Sequence, residues 1–216
     1  DGGNEWPYWD HLVGRHVLTS PSKKDALEYL YTLKVTHLLI DSTDIGKYSA
    51  FSNIGSDENY DRASYIPTMG IDLRATQETS NGTTYFYNAG FGLDEDIIYE
   101  NKEENKSQKI FLPAGRAGLG AVLLTMTNSS ISRPEGIFVD QGIQYRIPIR
   151  YVYFNNKLYD FKSGIEAGMF IIPLAAQSGN GVTINPLGTA LYLSKRVVNG
   201  NLARLYLFGE EGDGFN

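Results

Sequence analysis

Arg146-Ile-Pro-Ile-Arg-Tyr-Val-Tyr-Phe154-Asn155-Asn156-Lys157-Leu158-Tyr-Asp-Phe161 decides the fold. Two runs rich in β-branched and aromatic residues flank the turn Asn155-Asn156-Lys157, the pattern of a β-hairpin. A second hairpin is expected downstream, where Leu191 to Val198 and Leu202 to Phe208 flank Asn199-Gly200, a strong short turn signal. Thr83 to Tyr87 also reads as a strand, and β signals dominate from about Gly70 onward. The polar run from Glu100 to Gln108 reads as a solvated loop dividing the chain.

Ahead of Gly70 the period changes. Ser20-Pro21 reads as a helix start, with Ser as cap, Pro at the first helical position and Asp25 placing negative charge in the early turns. Ala26, Leu27, Leu30, Tyr31 and Leu33 form an apolar stripe at helical spacing, and Val35 to Ile40 reads as a buried strand. A second helix is expected from Asp44 to about Ile54, with Gly46 and the Ser49/Ser52 pair predicting an irregular start or a kink. The fold class is therefore α+β: an N-terminal mixed α/β core with helices, followed by a β-rich antiparallel C-terminal part. The expected division is 1–100 for the helix-containing core and 101–216 for the β-rich part.

With 216 residues, 42% of them hydrophobic, the chain can bury a sizeable core. Nineteen basic residues against 25 acidic ones, with no basic cluster longer than a pair, leave no electrostatic footprint for a phosphate backbone. Nucleic acid is not an expected partner. The absence of cysteine excludes disulfides, thiolate metal sites and thiol nucleophiles. No apolar run approaches the roughly 20 residues that span a bilayer, and nothing resembles a signal peptide. The chain opens at Asp1-Gly2-Gly3 without an initiator methionine and is expected to be a piece of something longer.

Few patterns carry chemistry. His11, His16 and His37 lack the spacing of a zinc site, and no G-x-S-x-G elbow accompanies them. Paired carboxylates for glycoside hydrolysis have no address in the sequence. Asp94-Glu95-Asp96 and the group Asp57-Glu58 with Asp61 lack calcium-loop spacing and read as solvated loop charge. Gly115, Gly118 and Gly120 run in the wrong order for a dinucleotide fingerprint and read as a backbone turn. Asn81-Gly82-Thr83, Asn105-Lys106-Ser107 and Asn128-Ser129-Ser130 fit the N-glycan acceptor pattern and favour an extracytoplasmic face. Asp44, Lys47 and Phe51 stand at i, i+3 and i+7, on one helix face. They read either as a binding surface or as an exposed ion pair with Phe51 turned into the core.

In order, Gly14-Arg15-His16-Val17-Leu18, a helix, a strand, and Asp44-Ile-Gly-Lys47-Tyr-Ser-Ala-Phe51 resemble the soluble C-terminal domain of the catalytic subunit of oligosaccharyltransferase, archaeal AglB type. That family carries W-W-D-Y-G, a G-x-R-x-T-L-like stretch and a helix with D-x-x-K-x-x-x-(M or I). Here Phe51 replaces the final Met or Ile. Asp1-Gly2-Gly3 is similar to the tail of W-W-D-Y-G, with Gly2 in place of Tyr; Tyr8-Trp9-Asp10-His11 is the rival placement. The likeness covers residues 1–70 well and the β-rich remainder only loosely.

The resemblance implies a membrane-bound glycosyltransferase that moves a lipid-linked oligosaccharide onto Asn of N-x-S/T, using a divalent cation (Mn or Mg) held in its membrane part. This chain would be the soluble domain on the extracytoplasmic face, inactive alone, that binds the Ser or Thr two residues after the acceptor Asn. Its partners would be the acceptor polypeptide, the lipid-linked oligosaccharide and the enzyme's own transmembrane domain. The implied pocket residues are Asp1, Gly3, Asp44, Lys47 and Phe51. A carbohydrate-binding or surface β module without catalytic role is the alternative, suggested by the tyrosine-rich strands.

Overall fold

In a computed structural model that describes residues 6–101, 108–127, 129–178 and 181–210, the Asn155-Asn156 hairpin forms as expected. Strands β7 (Ile143–Phe154) and β8 (Lys157–Asp160) pair from Tyr151↔Asp160 to Phe154↔Lys157. Asn155 and Asn156 both take left-handed φ, 50° and 57°. Two-residue hairpin turns require that conformation and Asn tolerates it. Lys157 belongs to the strand, so the turn is one residue shorter than the sequence suggests.

The other strands are β1 (Thr68–Thr79), β2 (Gly82–Gly92), β3 (Ile97–Asn101), β4 (Gln108–Leu112), β5 (Gly118–Met126), β6 (Glu135–Asp140), β9 (Ile165–Ser178) and β10 (Gly181–Leu193). Gly115 alone of its glycine series lies in a turn, with φ 71°; Gly118 and Gly120 open β5. The main sheet runs β6-β5-β2-β1-β10-β9-β7-β8, and β6 also pairs with β7, which closes the sheet into a barrel with β8 as an extra strand on β7. All neighbours are antiparallel except β7 and β9, because β8 returns the chain before β9 begins. Closure leaves few unpaired edges to attract other chains.

The barrel core includes Met69, Tyr87, Leu119, Leu124, Phe138, Ile147, Ile149, Val152 and Met169, all buried. Each such side chain contributes about 1.5–3 kcal/mol relative to exposure. The Tyr87 phenol donates to the Leu187 carbonyl at 2.9 Å inside this core. Burial, with a smaller effect from Tyr85, pushes its pKa up. The tyrosine-rich strands are mostly drawn inward: Tyr192 is buried, Tyr85, Tyr99, Tyr145 and Tyr159 pack against the core, and Tyr153 stacks on Phe170. β3 and β4 form a separate hairpin.

Contacts divide the chain into Pro67–Leu193, the barrel, and a second unit of Asp1–Ile66 with Ser194–Asn216. The expected boundary at residue 100 falls within β3. The second unit is helical among its described residues. It contains α1 (Pro7–Leu12), continued by a π-helical stretch Val13–Leu18, then α2 (Lys23–Thr32), α3 (Ser42–Gly46), α4 (Tyr48–Ile54) and α5 (Lys195–Asn199), followed by a π-helical stretch Ala203–Leu207.

Three local expectations are corrected here. α2 starts after Ser22, whose hydroxyl accepts from Asp25 N at 3.1 Å, not at Ser20-Pro21. Val35 to Ile40 is not a strand; it lacks pairing and most of it is exposed. The β propensity there finds no strand among the described residues to pair with, and propensity without a partner does not make a sheet. Around Asn199-Gly200 there is no hairpin but α5 and the second π-helical stretch. Gly200 has φ −71° rather than a left-handed value, and Val198 with Leu202, both buried, are spaced for a helix. Asn201 ties these helices to the start of the chain: Nδ2 donates to the Val17 carbonyl at 3.0 Å, and its backbone N–H donates to the Ser20 carbonyl.

Candidate functional site

The Asp44/Lys47 region is built by a capping box. Asp41 Oδ1 accepts from Thr43 N at 2.7 Å and from the Thr43 hydroxyl at 2.6 Å, while Asp44 Oδ2 accepts from Asp41 N at 3.0 Å. These reciprocal bonds satisfy donors that a helix start leaves orphaned. The Thr43 hydroxyl, then the Thr43 amide, lowers the Asp41 pKa. α3 stops after Gly46, a poor helix residue, and Lys47 joins it to α4 with φ −94° and ψ 0°. The expected kink is thus a break between two short helices.

The break places the Lys47 ammonium beside its own helix start. Nζ lies 3.6 Å from Asp44 Oδ1 and donates to the Thr43 hydroxyl at 3.3 Å. The Lys47 side chain is 58% exposed, that of Asp44 only 22%. Phe51 N donates to the Lys47 carbonyl, so the half-buried ring follows one helical turn later. Asp44 and Lys47 come together as the spacing predicts. Asp1 and Gly3 lie outside the described residues.

Beneath this surface, α4 packs backbone to backbone against the π-helical stretch. A Cβ on Gly14 would meet the Phe51 carbonyl oxygen at 2.7 Å, and one on Gly55 the Gly14 carbonyl carbon at 2.6 Å. The end of α4 is capped from the same side: His11 Nδ1 donates to the Ile54 carbonyl at 2.7 Å, and Arg15 Nη1 to the Gly55 carbonyl at 3.1 Å. Arg15 also holds Asp61 in a fork of 2.9 and 3.0 Å. The Arg15 hydrogen bond, aided by the Asp57 backbone N–H, lowers the Asp61 pKa to about 2. Asp61 is therefore a structural anchor rather than the solvated charge expected from sequence. The pair is separated by 46 positions, and no local spacing signals it.

The remaining candidates stay apart. His16 stacks on Tyr29 with centroids 5.6 Å apart, and His37 contacts the Thr36 hydroxyl. An open apolar groove of about 410 Å³ runs between α2 and the extended segment after it, lined by Leu27, Leu30, Tyr31, Val35, His37 and Leu38 among others. Trp6, Tyr8 and Trp9 of the α1 region are exposed. Among the described residues, no three His, Asp or Glu side chains converge as metal ligands, and no helix is long and apolar enough to cross a membrane. Compared with family models, curated proteins and solved structures, the chain matches none.

Proposed function

We propose that this chain is the acceptor-recognition part of a membrane-bound oligosaccharyltransferase, binding the Ser or Thr two residues after the acceptor Asn. The observation that supports the reading is the Lys47 ammonium, anchored by Asp44 and Thr43 yet open to solvent, one helical turn from Phe51. On this reading the Asp1 carboxylate would accept a hydrogen bond from the hydroxyl, Lys47 would orient that carboxylate, and Phe51 would wall the Thr methyl. A residue lacking the hydroxyl leaves the acceptor oxygen facing it without a donor, at about 1–3 kcal/mol. The divalent cation, the lipid-linked oligosaccharide and the chemistry of transfer belong to the enzyme's membrane part, so the chain by itself carries no transfer activity.

Replacing Lys47 by Ala in the full-length enzyme tests this. Transfer to an N-x-T peptide falls severely while the melting of this domain is unchanged. Wild-type transfer by the variant removes the reading. Oligosaccharide binding by the chain, unaltered by the same substitution, supports the carbohydrate-binding module instead.

A further inference from the structure

The sequence offers three N-glycan acceptor tripeptides, and for Asn81-Gly82-Thr83 the structure places every residue. Ser80 and Asn81 form the two-residue turn between β1 and β2, whose last pair is Thr79↔Gly82. Gly82 sits at φ 142°, and a Cβ there would meet the Met126 carbonyl oxygen at 2.5 Å. Only glycine fits the middle of the tripeptide, because the turn lies against the β5 backbone. Asn81 by contrast is exposed. Its Oδ1 receives one long bond from the Ser80 hydroxyl, 3.5 Å, and among the described residues its Nδ2 has no hydrogen-bond partner. Gln77 to Ser80 are exposed as well, and the β1–β2 register shifts between Asp72 and Gln77 before pairing resumes up to the turn.

We propose that Asn81 carries an N-linked glycan. Attachment exchanges one Nδ2 hydrogen for a sugar, and no hydrogen bond among the described residues is lost by it. In the transfer, Nδ2 forms a bond to C1 of the first sugar of an oligosaccharide carried on a lipid phosphate. The bond from C1 to the phosphate oxygen breaks, the lipid phosphate leaves with its electron pair, and one Nδ2 proton passes to a base of the transferase. The proposal rests on the reading above only for the extracytoplasmic location.

The fold also dictates the order of events. Thr83, which a transferase must read along with the Asn, is paired to Glu78 on one side and to Met126 on the other. It is presented only while β2 is unpaired, so modification precedes closure of the barrel.

Peptide mapping by mass spectrometry of the protein isolated from the cells that make it tests the site. The peptide containing Asn81 carries a glycan mass. Asn81→Gln and Thr83→Ala variants lose that mass and keep the melting profile of the unglycosylated wild-type chain. An unmodified Asn81 with glycans on Asn105 or Asn128 overturns the site but leaves the location standing. An Asn81 unmodified along with the other two overturns the proposal, while the Lys47→Ala transfer assay still decides the recognition reading separately. Purified chain glycosylated after folding as efficiently as before it overturns the order of events.

Discussion

Replacing Asp61 by Asn asks how much the anchor beneath the candidate site contributes. Asn has nearly the same shape, and its carbonyl oxygen still accepts the Asp57 backbone N–H, so the change removes the charge and the Arg15 Nη2 arm of the fork. A carboxyl moved from 3.8 to about 2 corresponds to about 2.4 kcal/mol at 1.36 kcal/mol per tenfold change in proton affinity. The Asp61 side chain is 34% exposed and that of Arg15 25%, so solvent screens the pair and about 1 kcal/mol is the expected contribution. The sign follows from the lowered pKa. The stabilisation is fully present above the unfolded value of 3.8, fades as pH falls through the folded value of about 2, and is gone below it.

Tryptophan fluorescence isolates the effect, since both tryptophans, Trp6 and Trp9, stand in the helical unit and the barrel has none. At pH 7 the variant melts about 4–8 °C below wild type, the shift about 1 kcal/mol produces in a unit of this size. Near pH 2 the two curves converge. Other lowered carboxyls, Asp41, Asp72 and Asp160, titrate in both proteins and cancel in the difference. A difference that is zero at pH 7, or as large at pH 2 as at pH 7, refutes the reasoning.

Gly14→Ala drives a methyl into the Phe51 carbonyl, and it destabilises the helical unit by about 1–3 kcal/mol; an unchanged fluorescence-detected midpoint contradicts the close approach. Tyr87→Phe takes the phenol donor from the buried Leu187 carbonyl, lowering barrel stability in denaturant titrations followed by far-UV circular dichroism by about 1–2 kcal/mol. A variant as stable as wild type means that carbonyl has another donor.

Where local rules act alone, the fold was legible. Asn155-Asn156 supplies the left-handed residues its turn needs, and the i, i+3 spacing of Asp44 and Lys47 brings them to 3.6 Å. Closure of the barrel was not, because β1 pairs with β10, far away in sequence, and the parallel β7–β9 pairing depends on where β8 sends the chain. Asn199-Gly200 misled because a turn dipeptide outweighed the helical spacing of Val198 and Leu202. Val35 to Ile40 misled in the opposite way: composition without a pairing partner. The Arg15–Asp61 fork had no signal at all, since two charges 46 positions apart announce themselves only in three dimensions.

The discontinuity of the helical unit has a bearing on biosynthesis. Asn201 bonds the Val17 carbonyl, and Leu202, Ala203 and Leu207 are buried, so the first 66 residues wait on the ribosome for partners that follow the whole barrel. A nascent chain arrested at Leu193 holds every described strand of the barrel but lacks α5 and the second π-helical stretch of the helical unit. Protease resistance of such arrested chains rises in two stages, the all-β unit first.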